Sequence, residues 1–266
     1  MIWDSHMHTN FSGDSDALPE SMIEQAIHLG LPGICITDHL DYDYPDDPDL
    51  FLIDLPKYSK KISELKEQYQ DRIPIHFGIE LGLQPHLSEK LQTITASMPF
   101  DFVIGSSHVV HGIDPYYPHY YEGRTEKEAY EEYFSSILEN LEAFSDFDAY
   151  GHIDYVVRYG PDKNKNYNYA AYAEVLDEIL KTLIRIDKAL EVNTAGFKYG
   201  LGHPNPCEEI ISRYHELGGR LLTIGADGHA LEQIAWDFDK IPALLKSCGF
   251  DSYTVYKKRK PVFLPL

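Results

Sequence analysis

A chain of 266 residues with 43 acidic and 23 basic side chains carries a formal net charge of −20. Such a field repels phosphate backbones and anionic lipid, which excludes a broad nucleic-acid or membrane surface. The length suits one α/β barrel, and three scattered cysteines, Cys35, Cys207 and Cys248, exclude both a disulfide framework and a thiolate metal site.

The opening MIWDSHMHTN has no basic patch followed by an apolar run, and no later run reaches membrane-spanning length. A cytoplasmic chain is expected. Short apolar runs then alternate with longer amphipathic ones. IWDSH is the first predicted strand. PESMIEQAIHLG follows as a helix, opened by Pro19 and closed by Gly30. GICITDH, IHFGIE and FVIGSSH are the next strands, compact and mostly apolar, as parallel strands buried on both faces should be. TEKEAYEEYFSSILENLEAF is a predicted helix and DAYGHIDY a fifth strand. In YAAYAEVLDEILKTLIRID, Leu176, Ile179, Leu180 and Leu183 follow i, i+3, i+4, i+7 spacing and give one apolar face. ALEVNTAG is the sixth strand, CEEIISRYHELGG a helix, and LLTIGADGH the seventh strand. A helix around 241–247 and an extended segment, YTVYKKRKPVFLPL, complete the chain.

Seven βα units without a Gly/Ser-rich linker predict one α/β domain over residues 1–266, a closed or nearly closed TIM-like (β/α)7 barrel. A doubly wound open sheet is the alternative. Two long loops, DYDYPDDPDLF and VVHGIDPYYPHYYEGR, follow the second and fourth strands, and loops of that length in a compact domain often carry function.

The strand ends carry the chemistry. The first ends in His6 and His8, the second in Asp38 and His39, the third in Glu80 and the fourth in His108. His152 and Asp154 lie on the fifth, Asn193 on the sixth, and Asp227 and His229 end the seventh. In a parallel barrel these ends converge on one mouth. Strand alternation points His6 with His8, and Asp227 with His229. Mixed imidazole and carboxylate donors suit Zn²⁺, Fe²⁺ or Mn²⁺, and six histidines with Asp14, Glu80 and Asp227 are too many for one ion. A lone HxH is a weak signal, and Asp14 alone would be a turn residue. Filled positions at every strand end, in strand order, are what predict a polynuclear centre.

HMHTNFSGD, TDH, GIE, SSH, GHID and GADGH together resemble the motif set of the polymerase and histidinol phosphatase (PHP) superfamily, over Ile2 to His229. GSSHVVHG, GHIDYVVRYG and EVNTAGFKYGLGHPNP look most like its histidinol-phosphate phosphatases. The resemblance implies a distorted (β/α)7 barrel with three divalent ions and hydrolysis of L-histidinol phosphate to L-histidinol and phosphate, through a hydroxide bridging two ions. It implies His6, His8, Glu80 and Asp227 for the first metal, Glu80, His108 and His152 for the second, and Asp14, His39 and His229 for the third. Many superfamily members carry histidine at the Asp14 position, and such phosphatases often carry arginine at that of Lys198. Arg158 and Lys198 would meet the phosphoryl oxygens. Asp38 and Asp154 are expected to orient histidine ligands. His111 and Tyr117, on the second long loop, are expected to meet the rest of the substrate. The expected partner is a small phosphate ester, with no nucleic acid and no membrane; composition leaves the oligomeric state open. The competing readings are a PHP-fold phosphatase for another small phosphoester or phosphotyrosine, and an inactive PHP binding module.

Overall fold

The computed structural model describes residues 1–266. Its sheet is parallel and curled. The strands are β1 (Ile34–Ile36), β2 (His39–Leu40), β3 (Ile75–Gly82), β4 (Phe102–Ser106), β5 (Ala149–Tyr150), β6 (Ala189–Asn193) and β7 (Leu222–Gly225). Their order is β1-β3-β4-β5-β6-β7, and β2 continues the line of β1 by pairing with the far end of β3. GICITDH is therefore one strand interrupted at Thr37 and Asp38.

The first predicted strand is reduced to isolated bridges, Asp4 with Ile34 and Met7 with Gly228. The segment still spans both edges of the sheet. The amides of Cys35 and Thr37 donate to the carbonyls of Asp4 and Met7, each at 2.9 Å. On the other side the Ser5 amide donates to Ile224 and the Asp227 amide to His6. The buried Asp4 carboxylate accepts from the amides of Ala226 and Ala235, tying the chain start to the segment that follows β7. This irregular seam is where the barrel is distorted.

Eight α-helices surround the sheet: α1 (Pro19–His28), α2 (Leu55–Gln68), α3 (Ser88–Ser97), α4 (Glu126–Ala143), α5 (Ala173–Arg185), α6 (Ala195–Lys198), α7 (Glu208–Glu216) and α8 (Ile241–Ser247). Leu176, Ile179, Leu180 and Leu183 of α5 are fully buried, so the predicted stripe faces the core. Thr125 and Glu128 form a reciprocal capping box at the start of α4. The terminal segment is an antiparallel hairpin, β8 (Ser252–Lys257) and β9 (Lys260–Pro265). Arg259 at its turn reaches Asp148 and Asp146, and the Arg259 amide donates to the Asp101 carbonyl, so the hairpin seals the end of the barrel where β4 and β5 begin. The three cysteines are buried and unpaired. No helix is long and apolar enough to cross a membrane.

Candidate metal centre

The opposite end of the barrel, where the strands finish, opens into a cavity of about 350 Å³. Asp14, His39, His108, His152, Arg158, Asp227 and His229 line it, with Asp41, Asp114 and a wall of tyrosines. His6, His8 and Glu80 lie beneath, fully buried.

The proton positions of two rings follow from their neighbours. A carboxylate only accepts, so His6 Nδ1 carries the proton that it donates to Glu191 at 2.6 Å. Asp38 accepts the single hydroxyl proton of Ser12 at 2.8 Å. The Ser12 oxygen must then accept from His8 Nδ1, 3.2 Å away. In the neutral rings, both Nε2 atoms are left with lone pairs. These nitrogens face each other at 3.0 Å and meet Glu80 Oε2 at 3.0 and 3.4 Å. Asp227 Oδ1 stands 3.4 Å from His8 and 3.8 Å from His6. Acceptors aimed at one point need a cation between them, so this donor set fits a divalent metal.

The same pattern recurs twice. His108 Nδ1 donates to Asp41 at 2.6 Å, which turns Nε2 toward Glu80 Oε1 at 3.3 Å, and His152 Nε2 lies 3.0 Å from that same oxygen. Glu80 thus offers one oxygen to each group. Nearer the mouth, His229 Nδ1 donates to the Asp227 carbonyl, leaving Nε2 3.1 Å from Asp14 and without a hydrogen-bond partner. His39 Nε2 is 3.8 Å from Asp14, and its Nδ1 lies 3.1 Å from Glu80 Oε2, also without a partner. The ring of His8 stacks between those of His39 and His229, so His8 adjoins this outer group as well as the inner one. Asp41, with His39 and His108, forms a further convergent set.

Charge follows this arrangement. Burial would raise the Glu80 carboxyl, but the facing His6, His39 and His108 outweigh it and hold it well below its ordinary range. Burial would lower His6, yet Glu191, Glu80 and Asp227 raise it well above an ordinary histidine. His8 moves the other way, lowered by burial and by the rings of His229 and His39. Burial also lowers His152.

Strand alternation does not account for Asp227 and His229. β7 ends at Gly225, and Asp227 sits at φ 53, in the left-handed region. A turn, not a strand, brings both side chains to the centre. Asp38 and Asp154 touch no histidine ring. Asp38 accepts from Thr9 and Ser12 and reaches His8 only through that serine. Asp154 accepts from Asn205 and Tyr167, and so supports Arg158, whose Nε donates to Asn205. The carboxylates that bind the far nitrogens of these rings are Glu191, on His6 Nδ1, and Asp41, on His108 Nδ1. Both had a local signal: Glu191 is the one charge in ALEVN, and Asp41 stands two residues after His39, on the same side of an extended chain.

Arg158 faces the cavity, buried, with its guanidinium shared among Asp227, Asn193 and Asn205. Tyr117 is on the cavity wall. His111 is not: it lies on the outer surface between Glu132 and Glu139 of α4, because its left-handed turn directs the ring outward. Lys198 is also absent from the wall. Its ammonium turns onto the Asp227 carbonyl and Gln233. Asp114 lines the cavity unpredicted, its carboxyl raised by burial and held by Tyr44 at 2.8 Å.

The chain is similar to known proteins over nearly its whole length. The model of the PHP domain matches residues 4–195. Histidinol-phosphatase of Lactococcus lactis subsp. lactis is 34% identical over 263 residues, covering 97% of this chain and 95% of that protein. A protein of Clostridium acetobutylicum named "Probable histidinol-phosphatase" is 32% identical over 269 residues, 99% of this chain and 96% of that one. The crystal structure of histidinol phosphate phosphatase from Lactococcus lactis subsp. lactis, complexed with zinc, L-histidinol and phosphate, matches with a TM-score of 0.91 at 33% identity over 98% of each chain.

Proposed function

Because the chain belongs to the PHP domain family, we propose that it is a metal-dependent phosphomonoesterase that hydrolyses L-histidinol phosphate to L-histidinol and phosphate. The observation that carries this is the convergence of the His6 and His8 Nε2 atoms with Glu80 beneath a cavity lined by Arg158. We assign His6, His8, Glu80 and Asp227 to one ion, Glu80, His108 and His152 to a second, and Asp14, His39 and His229 to a third. The donor set accepts zinc, iron or manganese. Three unpaired buried thiols fit a reducing, cytoplasmic compartment.

Bound divalent metal supplies a nucleophile from water at neutral pH and charge neutralisation on the phosphoryl group. The protein's own groups do the rest. Arg158, fixed by Asp227, Asn193 and Asn205, presents a permanent positive charge to the phosphoryl oxygens without reorganising. Glu191 and Asp41 hold protons on the far nitrogens of His6 and His108, keeping the near ones free to coordinate. The organic half of the substrate would lie along Asp114, Tyr116 and Tyr117. The Asp114 carboxylate, which has no cationic side chain among its hydrogen-bond partners, suits a small ammonium.

The test is phosphate release by zinc-, iron- or manganese-loaded protein from histidinol phosphate beside an aryl phosphate. We expect kcat/KM at least about 100-fold higher for histidinol phosphate, since a polar site penalises substrates that leave its groups unpaired. Release from the aryl ester alone would move the site to another small phosphoester. Release from neither, with metal bound, would sink the phosphatase reading.

A further inference from the structure

The turn that carries Asp227 and His229 is an unfavourable piece of backbone in a demanding place. Asp227 has φ 53, a region that non-glycine residues occupy only when their surroundings hold them there. Its side chain faces the inner pair, His6 and His8, while His229 faces Asp14 at the outer group. Two residues apart, they serve different ions, so the turn's shape sets both positions at once.

One side chain holds this turn from behind. Lys198, the last residue of α6, donates from its ammonium to the Asp227 carbonyl at 3.2 Å and to Gln233 Oε1 at 3.1 Å. The same Gln233 oxygen accepts from the His229 amide at 2.9 Å. The same Asp227 carbonyl accepts from His229 Nδ1 at 3.1 Å. The ammonium therefore sits between two oxygens, each of which also binds His229. Packed this way, it is not among the side chains that line the cavity, where Arg158 is.

We propose that Lys198 is a positioning residue: with Gln233 it clamps the Asp227–Gly228–His229 turn and so orients His229 toward the outer metal. This rests on the reading of the site as a metal centre. Without the ammonium, the Asp227 carbonyl and Gln233 lose their common donor, and the turn and the His229 ring are free to relax. The Asp227 side chain stays held by Arg158 and Asn193, and the contacts of His6, His8, His108 and His152 with Glu80 do not pass through the turn.

The experiment compares wild type, K198M, Q233L and Q233E, each loaded with zinc, by zinc content after dialysis and by competition with a chelator. Loss of a group that orients a metal ligand typically weakens binding about 10- to 100-fold. K198M and Q233L should each release about one zinc ion per chain that wild type retains, or bind it that much more weakly, and keep the others. Q233E keeps an oxygen for both donors and should match wild type. If K198M and Q233L hold zinc as wild type does, the clamp is refuted. K198M that holds zinc normally but shows a raised KM for the phosphate ester makes Lys198 a substrate contact instead. Should K198M not fold, the contrast between Q233L and Q233E decides. Wild type that binds no zinc overturns the metal-centre reading itself, and this inference with it.

Discussion

Glu191 shows what a single buried carboxylate can organise. One oxygen accepts from His6 Nδ1, and the other accepts from the His152 amide and from the Asn193 side chain. It thus sets the free nitrogen of one proposed ligand and the backbone of another. Burial raises its own carboxyl, but His6 outweighs this and the net shift is downward, so it stays ionised. In Glu191→Gln the acceptor charge is gone, and zinc affinity should fall about 10- to 100-fold with the fold intact. Chelator competition reads this directly; unchanged affinity would remove Glu191 from the centre. HxH, GIE and GADGH pointed to the proposed ligands because in each the residues are close together in sequence. Asn205 and Gln233 had no such signal. Asn205 lies in a loop and Gln233 ends a short 3₁₀ turn, and each acquires its partner, Arg158 or Lys198, only through tertiary contact.

At the level of elements, α4 links the frame to the cavity wall. Tyr133 on α4 donates to the Ser107 carbonyl just before His108, and Glu132 and Glu139 fix His111 at the start of the loop that carries Asp114 and Tyr117. The first turn of α4 has acidic residues Glu126 and Glu128 and the Thr125 cap, which satisfy amides that the helix leaves open. Thr125→Ala should cost about 1 kcal/mol, read as a lower midpoint in urea at unchanged slope. The cap's side-chain hydrogen bonds run only between Thr125 and Glu128, so zinc content should not change; a loss of zinc would show that α4 reaches the centre more directly than its contacts indicate. Most helices were legible from apolar spacing and boundary residues. The first strand was not, because IWDSH has a strand's composition but lies at the seam, where two edges of the sheet draw its hydrogen bonds in different directions.

For the molecule as a whole, the metal centre and folding stability are linked through protons. The unfolded chain releases its histidine protons near pH ~6.5. In the metal-free fold, His6, His108 and His229 are raised: burial opposes this, but facing carboxylates outweigh it. Above pH ~6.5 the folded chain therefore binds more protons than the unfolded one, and its stability falls as pH rises. Metal takes the place of those protons and removes this dependence. The metal-free melting temperature should thus fall between about pH 7 and about pH 9, while zinc-loaded protein stays higher and flatter. A metal-free profile that rises across that window would contradict the proton assignments. Six of the seven predicted strands, five of the eight helices, the clustering of histidines near strand ends and the family were determined by the sequence itself, because periodicity and short motifs are local. Which carboxylate meets which ring was decided only in three dimensions. Glu191 lies 185 residues from His6, Asp41 67 from His108 and Gln233 35 from Lys198, and a hydrogen bond depends on ångström distances that closure of the barrel alone establishes.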